Sequence, residues 1–352
     1  MKKIFNKSIL VLLLGLVCCA LQAAGAETFQ GNGTETDPYL ISSLSDLQAL
    51  AKSVYDGTSY KGKVFKQNSN IVVNQNVINS DGTFNKGNEN GFTNWKPAGR
   101  AYGFFTDNYF EGTYDGNGYS ISGLFFSSDL DEVRVGLFGQ AKNAILRNIN
   151  IKDSYMGTVG NGTVNSDIHG FLVGLATECA IIDCHVTNSV METKITQEAC
   201  IGGLIGQASS PKALKDCSFS GTIIANISNK SCKIGGLAGY VTANSKEQLN
   251  IQGCTASGNV NAIIDFSKCE EDTYINMGGL MYTEHRGMNI SSSDDAIIKM
   301  TKCVNRTNVN VASVNFADID ALTSHGNDIY ENEIPSSNHL GKLEIYTMGG
   351  VC

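Results

Sequence analysis

Few side chains in this sequence stand where they could do chemistry together. Tyr240 and Tyr282 each follow a Gly-x-Leu segment, and the second runs closely into Glu284-His285-Arg286. Aromatic rings beside adaptable polar and charged groups suit contact with a sugar or a protein surface. These five residues form the candidate ligand-binding set. Catalysis has less to stand on. A glycoside hydrolase needs two carboxylates, one as acid and one as nucleophile or base, and a polysaccharide lyase needs a base beside a cation that neutralises uronate. Acids here come in scattered pairs such as Glu270-Glu271 and Asp294-Asp295, and His285 is a lone candidate base. No catalytic residue is nominated. Asp115-Gly116-Asn117-Gly118 opens like a calcium loop but lacks the later acidic ligands, so it reads as a turn between strands. There is no Cys-x-x-Cys pair, and neither a metal nor a cofactor is expected.

The elements that position these residues are set by a repeat. Five segments share one theme: Val135-Gly136-Leu137-Phe138-Gly139, Gly170-Phe171-Leu172-Val173-Gly174, Gly202-Gly203-Leu204-Ile205-Gly206, Gly235-Gly236-Leu237-Ala238-Gly239 and Gly278-Gly279-Leu280-Met281-Tyr282. Leu137, Leu172, Leu204, Leu237 and Leu280 are 35, 32, 33 and 43 residues apart. A second column follows at Asn148, Cys184, Cys217, Cys254 and Cys303. A third, three residues earlier, holds Ile145, Ile181, Leu214, Ile251 and Met300. Between the columns lie short strand-like runs broken by Gly, Asn and Ser, without helical spacing. Repeats of this length suit three short strands and their corners, stacked turn on turn, better than a propeller blade of about 40–45 residues. The expected fold is an all-β, right-handed parallel β-helix.

Spacing from leucine to second column grows as 11, 12, 13, 17 and 23 residues, so insertions gather at one late corner, within 242–249 and 283–296. Insertions on one face of a repeat protein often mark the binding face. The cysteine column reads as a stacked interior ladder in which free thiols act as small apolar groups. Its odd offset from the apolar column requires a bend between them. Cys200 and Cys232, just before successive Gly-Gly pairs, are a candidate bridge. Residues 43–54 space Leu44, Leu47, Leu50, Ala51 and Val54 on one helical face, with Ser45 and Gln48 as a capping box. An open solenoid end needs a cap, and this helix is placed to supply it.

The remaining signals concern the setting. The chain has 352 residues, with 26 Lys+Arg against 34 Asp+Glu and a net charge of −8. That balance excludes a non-specific nucleic-acid binder, which needs a basic footprint. Residues 1–26 combine a basic start, an apolar run and Ala24-Gly25-Ala26, the form of a cleaved secretory signal. Leu16-Val17-Cys18-Cys19 leaves a lipoprotein anchor as the alternative. No other segment has the length and apolarity of a membrane span.

The Gly-x-Leu-x-Gly segments, with the stretch from Gly33 through Trp95-Lys96-Pro97 to Phe110-Glu111-Gly112-Thr113-Tyr114-Asp115-Gly116-Asn117-Gly118, resemble the GLUG-motif family of bacterial secreted and surface proteins, common in gut Bacteroidetes. The resemblance covers about residues 31–305. It implies a β-helix like that of pectate lyases and supplies no general catalytic set. Phe171 and Tyr282 depart from it, each replacing a motif glycine. A related repeat accompanies a streptococcal immunoglobulin A protease, but His-Glu-x-x-His is absent from this sequence.

The expected organisation is a signal at 1–26, an N-terminal cap region at 27–105, repeats at 106–305 and a C-terminal cap or tail at 306–352. Leu343 to Val351 resembles the start of a secretion-sorting strand. The expected function is an exported or cell-surface binding scaffold, adhesin-like, for a glycan or a host-cell protein. A β-helix lyase or hydrolase is the alternative, and a purely structural role the third. Sequence leaves the oligomeric state open.

Overall fold

The computed structural model describes residues 29–101, 107–127, 132–157, 167–228, 231–243, 248–265, 274–284, 297–314, 332–333 and 344–348. The proposed signal, His285, Arg286, Cys269 and Cys352 lie outside the described residues. Within them, no helix is long and apolar enough to cross a membrane.

The chain winds as a parallel β-helix. One complete turn runs through Ala199–Gly202, Ile205–Ser209, Ala213–Lys215 and Ser218–Ile227, and each of these strands joins a different sheet of seven, five, eight or nine strands. Each of these four strands pairs in parallel with its equivalents one turn away. Each turn therefore has four strands rather than three, because the Gly-Gly-Leu corner breaks one long strand into two. The repeat leucines are all at most 2% exposed. The amide of Leu172 donates to the carbonyl of Leu204, Leu204 to Leu237 and Leu237 to Leu280, at 3.0, 2.9 and 2.7 Å. The leucines are thus immediate neighbours in one interior file, each contributing about 1.5–3 kcal/mol through burial.

Glycines at the corner permit backbone contact. A Cβ on Gly203 would fall 2.2 Å from the Phe219 ring and 2.4 Å from the Gly236 carbonyl. Phe171 takes the same position one turn earlier and is fully buried, and there the residue in register with Phe219 is the smaller Val186. The departure at Phe171 is thus a trade of volume across the interior.

The first repeat sits one residue away from the sequence alignment. Ile181 pairs with Leu146, not Ile145, and Asn150 with His185, which puts Ile149 rather than Asn148 in the cysteine column. Asn148 forms the corner itself. With Asp183, Asp216, Gly253 and Lys302 it makes a column at φ 55°, 53°, 52°, 66° and 55°, just before the buried residue of each turn. Asn, Asp and Gly tolerate this left-handed conformation best. It is the required bend, turning both the apolar and the cysteine columns inward.

Cys184, Cys217, Cys254 and Cys303 then stack inside as free thiols. Each Sγ donates to the carbonyl two residues earlier and to one on the preceding turn, as Cys217 does to Lys215 (3.2 Å) and Ile181 (3.5 Å). Burial holds the Cys217 thiol well above its usual range and raises Cys303. At Cys254 the contact with Cys217 is the larger cause of the rise and burial adds to it. The Cys200–Cys232 bridge does not form. Cys200 is in register with Lys233, and Cys232 with Ala199, so the two thiols face opposite sides of their sheet.

The N-terminal region packs on the first turns of the rod. Tyr39–Ile41 and Val64–Gln67 are the first two strands of the eight-stranded sheet. Helix α1 (Leu44–Tyr55) buries Leu47, Leu50, Ala51 and Val54 against the same core. Its N-cap is Ser43, which accepts from the Asp46 amide at 3.2 Å, rather than Ser45. Trp95 and Ala98 cover the edge of the five-stranded sheet, where Ala98 bridges Phe138 and Phe110 bridges Ala141. Residues 74–95 lie over the outer face of the nine-stranded sheet, and Phe84 stacks on Tyr155 at 3.5 Å between ring centroids. In the tail, Glu344–Met348 adds a strand beside Tyr274–Gly278.

Candidate functional site

The seven- and five-stranded sheets meet at the Gly-Gly-Leu corners, and their outward side chains converge in a crease parallel to the axis. Alternate residues of Ala199–Gly202 divide between two clusters: Ala199 and Ile201 in the main core, Cys200 outside it with Ile168 and Tyr240. Glycines hold the walls together, since a Cβ on Gly206 would fall 2.7 Å from the His169 amide. Ascending the crease, the paired side chains change from Arg134 and Gln140 through Ile168 and Leu175, then Cys200 and Gln207, to Lys233 and Tyr240. The lower end is closed by Asp107, which pairs with Arg134 at 3.1 Å.

The upper end holds two of the sequence-predicted residues, Tyr240 and Tyr282. Tyr240 and Tyr282 stack at 5.8 Å with 26° between ring planes, and the Lys233 ammonium stands 4.6 Å from the Tyr240 ring centre. Register explains the pairing: Ala238 faces Met281 and Val241 faces Thr283, so Tyr282 alone spans the positions of Gly239 and Tyr240. The lost residue is what puts an aromatic ring where other turns have glycine. Tyr240 is only 4% exposed and packs on Ile168 and Cys200, so Tyr282 is the more accessible ring. Glu284 ends the same strand as Tyr282, and the chain then enters 285–296, outside the described residues.

Two other constellations carry reactive groups. His185 joins Asp183 through Nε2 at 2.9 Å and Ser218 through Nδ1 at 2.7 Å. This Asp-His-Ser connectivity is that of a nucleophile, base and orienting acid. It lies on an open sheet face, and the Ser218 amide is already committed to the Cys184 carbonyl, so it offers no donor for an oxyanion. Asp115 is likewise occupied. Burial alone would raise its carboxyl, but Asn148, the Asn117 amide and Arg147 donate to it and hold it below its usual range. The Asp-Gly-Asn-Gly segment is a turn, with Asn117 and Gly118 at φ 53° and 79°.

Sequence reasoning missed one pair. Asp167 and His169, 2% and 1% exposed, occupy interior files that hold Ala199 and Ile201 in the next turn and Cys232 and Ile234 after it. A polar residue breaking an apolar column was the signal available. Burial pushes the Asp167 carboxyl up to about 6, against the hydrogen bond from Gln197 at 2.8 Å. A raised carboxyl favours folding below the unfolded value near 3.9, and that contribution is lost as pH rises through about 6. Asp167→Asn keeps the Gln197 partner, and urea unfolding is expected to find it about 1–2 kcal/mol more stable than wild type at pH 7 and equal at pH 4. Equal stability at both pH values would contradict the assignment.

No family model matches the chain. Halomucin of Haloquadratum walsbyi is 30% identical over 227 residues, which are 64% of this chain and 2% of Halomucin, so the chain spans a small fraction of that relative. Among solved structures, a candidate immunoglobulin A1 protease from Bacteroides ovatus matches 78% of this chain and 86% of its own, at 12% identity and TM-score 0.38. An IgA1 protease matches 79% of this chain and 20% of its own, at 14% identity and TM-score 0.42. The fold rests on the strand topology, independently of these likenesses.

Proposed function

We propose that this chain is an exported, non-enzymatic binding scaffold, adhesin-like and of the GLUG-motif type, that takes a glycan or a cell-surface protein at the upper end of the crease. The supporting observation is the Tyr240–Tyr282 stack capped by Lys233. A ring fixed by a second ring loses little freedom on contact, and a nearby ammonium adds a directed donor. Tyr282 leads straight into Glu284-His285-Arg286, which would extend the contact. Catalysis is disfavoured because Asp115 is saturated by donors and Asp167 points into the core.

The test is a glycan array and a cell-surface binding assay with the chain from residue 27. Tyr282→Ala should weaken binding about tenfold or more, equivalent to ~1.4 kcal/mol, without lowering the unfolding midpoint. Removal of 285–296, beyond the end of the Met281–Glu284 strand, should also weaken binding. Release of unsaturated uronates or new reducing ends from a polysaccharide would instead establish the lyase or hydrolase reading.

A further inference from the structure

A cavity lies away from the crease, in the segment folded over the nine-stranded sheet. Asn74, Gln75, Asn76, Asn88, Asn90 and Phe92 line a cavity of about 380 Å³, which falls in the ~300–1,000 Å³ range of small-molecule sites. The frame is held from within. Asn74 donates to the Thr93 and Gly123 carbonyls at 2.9 Å each and accepts from the Thr93 amide at 2.7 Å, clamping both ends of the excursion to the coil. Asn85 donates to the Asn76 carbonyl at 2.9 Å. Phe92 is fixed against Phe125 at 5.3 Å and Phe84 at 6.3 Å.

What the frame leaves over is chemically uniform. The side-chain amides of Gln75, Asn88 and Asn90 make no hydrogen bond with the described residues. Each amide offers donors and acceptors together, matching hydroxyl groups that also do both. A partly buried aromatic ring supplies an apolar surface for the C–H face of a sugar. No charged side chain lines the cavity, so nothing there compensates a carboxylate, phosphate or ammonium stripped of water. We infer that this cavity binds an uncharged, polyhydroxylated ligand, namely one or two residues of a neutral glycan, independently of the crease.

The experiment uses the chain from residue 27 and saturation-transfer NMR with four neutral tetrasaccharides (cello-, malto-, chito- and mannotetraose) and tetragalacturonate as the charged control. At least one neutral probe should bind at millimolar concentration or below. Asn88→Ala with Asn90→Ala, both exposed and not part of the clamp, should weaken it about tenfold with an unchanged unfolding midpoint. Tyr282→Ala should leave that binding within about twofold. The inference is overturned if no neutral probe binds, if the double variant binds as well as wild type, or if tetragalacturonate binds as tightly as the neutral probes. Loss on Tyr282→Ala alone would assign the sugar to the crease.

Discussion

Gly202→Ala should destabilise the rod by about 4 kcal/mol or more, at the severe end for a single methyl group. The added Cβ would fall 2.0 Å from the Ile205 carbonyl oxygen, 2.4 Å from the Gly239 amide nitrogen and 2.8 Å from the Ala238 Cα. All three are backbone atoms, so no side chain can swing aside. Relief requires opening the corner, which carries the Leu204 to Leu237 hydrogen bond of the interior file. In a solenoid the damage also spreads to the interface with the next turn, because stability there is a sum of repeat and nearest-neighbour contributions. Gly91→Ala is the control, since a Cβ there meets nothing within 4 Å, and it should change stability by less than about 0.5 kcal/mol. Urea unfolding followed by circular dichroism compares the two. A Gly202 variant as stable as the Gly91 variant would refute the close packing of turns.

The second large effect concerns His169. Both ring nitrogens are buried without a hydrogen-bond partner among the described residues, and the ring shares its file with Val135, Ile201, Ile234 and Met277. Burial drives its imidazole down to about 4. A depressed value means that the neutral ring favours folding. That contribution is complete above the unfolded value near 6.5 and disappears as pH falls toward about 4. The loss over that window is on the order of 3 kcal/mol. His169→Leu removes the titration and the unsatisfied nitrogens together. It should gain about 1–3 kcal/mol at pH 7.5 and the larger advantage at pH 4.5. A variant whose advantage does not grow on acidification would place His169 in contact with water or a partner. Asp167 changes in the opposite sense over an overlapping window, so the two contributions largely cancel in wild type; each single variant should steepen the profile of stability against pH, and the double variant should restore one close to wild type.

Much of this architecture was legible in the residues. The leucine column gave the turn, its period and the interior file, and the spacing at Leu47, Leu50, Ala51 and Val54 gave the helix. The error in the first repeat has a simple origin. Ile145 and Leu146 are both apolar, as is Ile149 beside Asn148, so side-chain character alone cannot choose the register. The left-handed corner could have chosen it, since Asn148, Asp183, Asp216 and Gly253 are residues that accept positive φ. The Cys200–Cys232 pairing failed on parity, because a shift of one position on a strand reverses the face.

The sites were harder to read. Contacts such as His185 to Ser218 join residues from different turns, which spacing within one turn does not reveal. Tyr240 has the chemistry of a contact residue, but its neighbours Ile168 and Cys200 enclose it from an adjoining sheet. The cavity near Phe92 has no signature in the sequence, because asparagines in a loop look like ordinary turn formers.

The inward thiols have a consequence for where such a protein can work. Among the described residues Cys179, Cys184, Cys200, Cys217, Cys254 and Cys303 are free and buried, and burial pushes Cys179 and Cys200 up to about 11. A thiol held protonated and out of reach is a poor nucleophile toward oxidants and mixed disulfides alike. Unlike small exported domains that depend on covalent cross-links, this portion of the rod draws its rigidity from stacking. The described turns therefore hold together without a cross-link at Cys184, Cys217, Cys254 or Cys303.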